Sequence, residues 1–78
     1  MRGVYGYCRP ILAMGSIGPE VEMLQRILYS IGYDPGPIDG IFGPLTRSAV
    51  VRFQLDNGLV PDGIVGSKTW AAIDLVYP

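Results

Sequence analysis

Histidine is absent from the 78 residues, and cysteine occurs once, as Cys8. The first absence removes the commonest general base and the commonest metal ligand together. No catalytic residue, metal site or cofactor is therefore expected. The second excludes an internal disulfide. Cys8 reads as a small apolar residue of an N-terminal arm, with an intermolecular tether as the other reading. Charge is scarce and balanced, six Lys and Arg against seven Asp and Glu for a net of −1. With no basic run, a nucleic-acid partner is not expected. Ile11-Leu12-Ala13-Met14 is only four residues long and follows Pro10. It is too short for a secretory core or a membrane span, so neither an export signal nor a spanning helix is expected. Low-complexity runs are missing too, and at 49% hydrophobic content the chain should fold.

Such a chain makes one domain. It buries only ~60–65% of its extended surface. Most large apolar residues are then needed in the core, and few remain for an elaborate active site.

What the chain has is a repeated string. Asp39-Gly40-Ile41-Phe42-Gly43-Pro44-Leu45-Thr46 is echoed, 23 residues on, by Asp62-Gly63-Ile64-Val65-Gly66-Ser67-Lys68-Thr69. A repeat this short suggests one supersecondary unit stacked on its copy. The copies match outside the loops as well. Val21, Leu24 and Gln25 correspond to Val50, Phe53 and Gln54, and Gly32-Tyr33 corresponds to Gly58-Leu59. The first loop is longer by three residues, since Gly32 to Gly40 spans eight positions and Gly58 to Gly63 five.

Three helices are expected. Residues 1–15 read as irregular, with an arm at 1–8 ahead of a domain at 9–78. The first helix should start at Pro19, with Gly18 as cap and Glu20 and Glu22 at the positive end of the dipole. Val21, Leu24, Leu28 and Ile31 recur at helical spacing and predict its buried face, and Gly32 supplies a left-handed stop. Pro35, Gly36, Pro37, Gly40 and Gly43 make 33–43 an ordered loop. The second helix should run from Pro44 to about Asp56, burying Leu45, Ala49, Val50 and Phe53. A short third helix from Thr69 to Leu75 carries Trp70 and Ile73.

These residues resemble the type 1 peptidoglycan-binding domain, a small all-α module of three helices found beside cell-wall hydrolases. The match runs from Arg9-Pro10 and Leu12 through Gly15-Ser16, Gly18, Val21, Leu24-Gln25 and Leu28. It continues through Gly32-Tyr33, Gly36, Asp39-Gly40, Phe42-Gly43, Thr46, Ala49-Val50, Phe53-Gln54 and Gly58-Leu59, and closes with Asp62-Gly63, Gly66, Thr69 and Trp70. One Asp-Gly-x-x-Gly loop is unspecific. Two at this spacing, with Leu-Gln and Phe-Gln on successive helices, are not.

The resemblance implies non-catalytic binding of peptidoglycan, by a monomer that targets an associated hydrolase to the wall, outside the membrane. Peptidoglycan presents sugar faces, acetamido groups and peptides with free carboxylates, so a binder needs flat apolar surface, amides and a cation. Tyr33 and Phe42 offer the first near the longer loop, Gln54 an amide, and Arg47 a planar fork of donors. Asp39 and Gly40 offer loop polar groups at close range. Structural readings stand beside these. Asp39 and Asp62 can accept N–H groups of their own turns. Gly40, Gly43, Gly63 and Gly66 serve backbone conformation or helix starts. Gln25 and Gln54 can tie loops to helices as buried amides. Phe53 and Trp70 face the core, and Phe42 can fold inward or face ligand.

Catalysis is not expected. Zinc hydrolases need His, a thiol enzyme needs a base beside Cys8, and the pair Asp39 and Asp62 is better explained by turns than by a glycosidase cleft. The other reading is a protein-interaction or structural module of a phage particle, spore coat or pro-segment, without wall binding. In metalloprotease pro-segments of this fold a cysteine follows the domain, whereas Cys8 precedes it.

Overall fold

The computed structural model describes residues 9–77. The arm expected at 1–8, and Cys8 with it, lies outside them. Three helices appear in order, α1 (Pro19–Ser30), α2 (Pro44–Asp56) and α3 (Ser67–Val76). Each follows a glycine, and none has a side-chain cap. Pro19 and Pro44 occupy the first turns of α1 and α2, where a missing N–H costs nothing.

Both long helices stop in the same way. Gly32 and Gly58 take φ of 99° and 71°. Tyr33 N–H then bonds Leu28 C=O at 2.8 Å, and Leu59 N–H bonds Gln54 C=O at 2.9 Å. This six-to-one closure requires the left-handed residue that glycine adopts without strain. It also turns Tyr33 and Leu59 back onto the core.

Val21, Leu24 and Leu28 of α1 pack with Ala49, Val50 and Phe53 of α2 and with Trp70 and Ile73 of α3. Leu12, Phe42 and Val65 come in from the connecting segments. Fully burying each large side chain contributes about 1.5–3 kcal/mol. Two expectations change. Leu45 is 60% exposed, because the buried stripe of α2 is Thr46, Ala49, Val50, Phe53 and Gln54, one residue out of register with it. Ile31 is only partly buried, since it caps α1 rather than lying within it. In addition, α3 starts at Ser67, two residues before the expected Thr69.

The described N-terminal segment clasps both loops. Leu12 pairs with Val65 and Ile17 with Ile41 as isolated antiparallel bridges. Phe42 N–H bonds Ser16 C=O at 2.9 Å, and Val65 N–H bonds Leu12 C=O at 2.8 Å. The Trp70 indole donates to Pro10 C=O at 3.0 Å, and Arg9 lies over its ring while pairing with Asp74 at 2.8 Å.

Candidate functional site

Each loop is built around one buried glutamine. Gln25 Oε1 accepts the N–H groups of Asp39 and Gly40 at 3.0 and 2.9 Å. Its Nε2 lies 3.2 Å from Asp39 Oδ1, 3.0 Å from Ile41 C=O and 3.1 Å from Thr46 Oγ1. The amide is so oriented because the two backbone donors demand its oxygen and the three acceptors its nitrogen. Asp39 Oδ1 closes the turn by accepting Ile41 N–H at 2.9 Å. That bond, followed by the one from Gln25, holds the Asp39 carboxyl below the usual carboxylate range.

Gln54 builds the second loop with all the corresponding partners but one, since Asp62 N–H bonds Val60 C=O at 2.9 Å rather than the glutamine. Oε1 accepts Gly63 N–H at 3.0 Å, and Nε2 lies 3.2 Å from Asp62 Oδ1, 3.0 Å from Ile64 C=O and 3.1 Å from Thr69 Oγ1. Asp62 Oδ1 accepts Ile64 N–H at 2.9 Å. Both glutamines are buried, so each unmade bond would carry its full desolvation penalty.

Several residues expected to meet ligand are thereby placed inside. Phe42, at 1% exposure, is core, because its backbone pairs with Ser16 and Gly15 and turns the ring inward. Gln54, also at 1%, belongs to the second loop rather than the first, and its amide is spent on that frame. Gly40 is buried, and a Cβ there would lie 3.2 Å from the Gly18 carbonyl. Asp39 stays exposed, with one carboxylate oxygen engaged in the turn.

Tyr33 and Arg47 are not brought together. The Tyr33 hydroxyl donates to Asp56 Oδ2 at 2.6 Å, and its ring meets Phe53 edge-on at 5.6 Å. The hydrogen bond to Asp56, with burial second, raises the phenol above its ordinary value. Arg47 instead lies against the second turn, where a Cβ on Gly63 would fall 2.9 Å from its Cγ and Nε. Asp56 is nine residues beyond Arg47 on α2, about 13 Å along the axis and half a turn around it. Gly43 and Gly66 precede helices with ordinary negative φ and open space at the Cβ position, so they do not share the constraint on Gly63.

An open cleft of about 420 Å³ lies beside the second loop. Gly58, Leu59 and Val60 line it from the end of α2, and Ser67, Lys68 and Thr69 from the start of α3. Val60 and Ile64 give it exposed apolar surface. Lys68 makes no ion pair among the described residues. Thr69 and Lys68 stand in the repeated string, but nothing in one-dimensional spacing marks them as cleft residues. Among the described residues no three His, Cys, Asp or Glu are grouped to hold a metal, and no helix is long and apolar enough to cross a membrane.

The fold and frame are those of a small helical recognition module with two glutamine-centred loops. Residues 17–73 match the family model described as "Putative peptidoglycan binding domain", and the chain belongs to that family. It is 47% identical over 73 residues to an uncharacterized protein in the bpoA1 3′ region of Kitasatospora aureofaciens, covering 92% of this chain and 62% of that one. It is 35% identical over 65 residues to a spore cortex-lytic enzyme of Oceanobacillus iheyensis, covering 83% of this chain and 24% of the enzyme. The crystal structure of the Burkholderia AP3 phage endolysin superposes with a TM-score of 0.80 at 44% identity, over 85% of this chain and 25% of the endolysin. The chain thus spans less than two thirds of the length of these relatives.

Proposed function

We propose that this chain binds bacterial peptidoglycan without catalysing its breakdown, as a monomer that holds an associated wall hydrolase on its substrate. The observation that carries this reading is the open cleft at the second loop of a chain from a peptidoglycan-binding family. Apolar surface from Val60 and Ile64, the Lys68 ammonium and exposed backbone match the sugar faces, carboxylates and amides of the wall polymer. Arg47, exposed and packed against Gly63 of the same turn, adds a second cation outside the residues that line the cleft. The association with a hydrolase is supported by relatives named as a cortex-lytic enzyme and an endolysin, in which the matched part is about a quarter of the chain. The site of action is then the wall.

Co-sedimentation with purified sacculi, against cellulose and chitin controls, tests the reading. Selective pelleting is expected, weak for one copy and strengthened by avidity when two copies are linked. Arg47→Ala should reduce it without unfolding the domain. A folded chain that stays in the supernatant at high concentration would overturn the proposal in favour of a protein partner.

A further inference from the structure

The two loops share a frame but differ at two points. Asp39 N–H bonds Gln25, whereas Asp62 N–H bonds Val60 C=O at 2.9 Å, and the second difference falls at the cleft. In the first loop, Thr46 Oγ1 accepts from Gln25 and donates to Pro35 C=O at 3.0 Å. Pro35 is fully buried. Gly36 presses onto Leu45 so closely that a Cβ would lie 2.8 Å from Leu45 Cβ. Pro35 and Gly36 belong to the stretch that makes this loop three residues longer than the second. The second loop has no such segment. The corresponding hydroxyl, Thr69 Oγ1, accepts from Gln54 at 3.1 Å, but its proton reaches only Ile64 C=O at 3.5 Å. That carbonyl already accepts from Gln54 at 3.0 Å. A hydroxyl bond at this length is far beyond the usual ~2.7–2.8 Å. Thr69 is nevertheless 95% buried, at 5% exposure, and it lines the cleft. Lys68, which corresponds to Leu45, lines the cleft beside it.

We infer that the second-loop cleft takes an amide carbonyl flanked by a small apolar group, which accepts the Thr69 proton as Pro35 C=O accepts that of Thr46. The chain carries its own imitation of the ligand in the first loop, and the second loop is left open for the real one. Resting on the wall-binding reading, this makes Thr69 a specificity-determining residue. Two wall components have the required chemistry: the acetamido group of the glycan and the alanyl peptide bond of the stem.

The test uses the whole chain, with amide chemical-shift titrations against the acetylated wall disaccharide and, separately, against a sugar-free stem peptide. Shifts concentrated at 58–60 and 66–69 with either probe support the inference, and the probe that produces them identifies the source of the carbonyl. Thr69→Val should weaken that binding by about three- to tenfold, and Thr69→Ser, which retains the hydroxyl, should restore it. Thr46→Val should lower the melting temperature and leave affinity unchanged. Replacing Val60-Pro61 by the five residues of 34–38 should close the cleft and abolish binding in a folded chain. A parent that fails to pellet with sacculi overturns the wall-binding reading. A parent that pellets, with Thr69→Val and the filled-cleft variant pelleting equally well, overturns the cleft assignment alone.

Discussion

Gln25 and Gln54 matter more to this protein than their lack of charge suggests. Each joins one helix to a loop through an amide that both accepts and donates, in a place water cannot reach. Gln25→Ala would strand the N–H groups of Asp39 and Gly40, and a loss of about 3 kcal/mol in unfolding free energy is expected from denaturant titration. Gln25→Glu keeps the acceptor but sets a carboxylate against Asp39 Oδ1 and Ile41 C=O. It should be as damaging at neutral pH and partly recover on mild acidification. The depressed Asp39 carboxyl gives a second pH signature. Its unfolded form binds a proton more readily, so its contribution is present above the ordinary carboxylate value of about 3.9 and is lost as pH falls through the lower folded value. Thermal melts across that range should show a shallower acid limb for Asp39→Asn than for the parent.

Helix ends and turns explain which glycines are replaceable. Gly63 has φ of 73° and Arg47 packed against it, whereas Gly66 has φ of −100° and open space. Gly63→Ala should therefore cost about 1–2 kcal/mol from the left-handed backbone alone, while Gly66→Ala should be nearly neutral. Paired thermal melts check both. Tyr33 latches the end of α1 to the end of α2 through Asp56. Its raised phenol pKa means the folded state holds the proton more tightly. That stabilisation is complete below the ordinary value of about 10 and fades as pH rises through the folded one. Tyr33→Phe should remove this alkaline loss, which melts between neutral and strongly alkaline pH would resolve.

In the molecule as a whole, the N-terminal segment closes a structure whose helices alone would not. It bridges to both loops, and the bond from Trp70 to Pro10 joins residues 60 apart in sequence. Leu12 is its buried anchor. Leu12→Ala should cost about 3 kcal/mol, which in a domain of this size lowers the melting temperature by roughly 12–24 °C. A melting temperature unchanged by that substitution would show the clasp to be dispensable.

The helix starts at Pro19 and Pro44, the stops at Gly32 and Gly58 and the apolar faces of α1 and α2 were readable from residue order, because caps, left-handed stops and helical periodicity act over a few neighbours. The family was readable too, since its signature is the order of residues that those local rules require. The inward turn of Phe42, the exposure of Leu45 and the separation of Tyr33 from Arg47 were not. They depend on which segment pairs with the loop, on a one-residue register and on where along α2 each side chain docks. The cleft is of the same kind. The three-residue difference between the loops is plain in the string, but only packing shows that the longer loop fills with Pro35 what the shorter one leaves open beside Thr69. Long-range contacts decide such matters because burial and hydrogen bonding are satisfied by neighbours in space, whatever their distance along the chain.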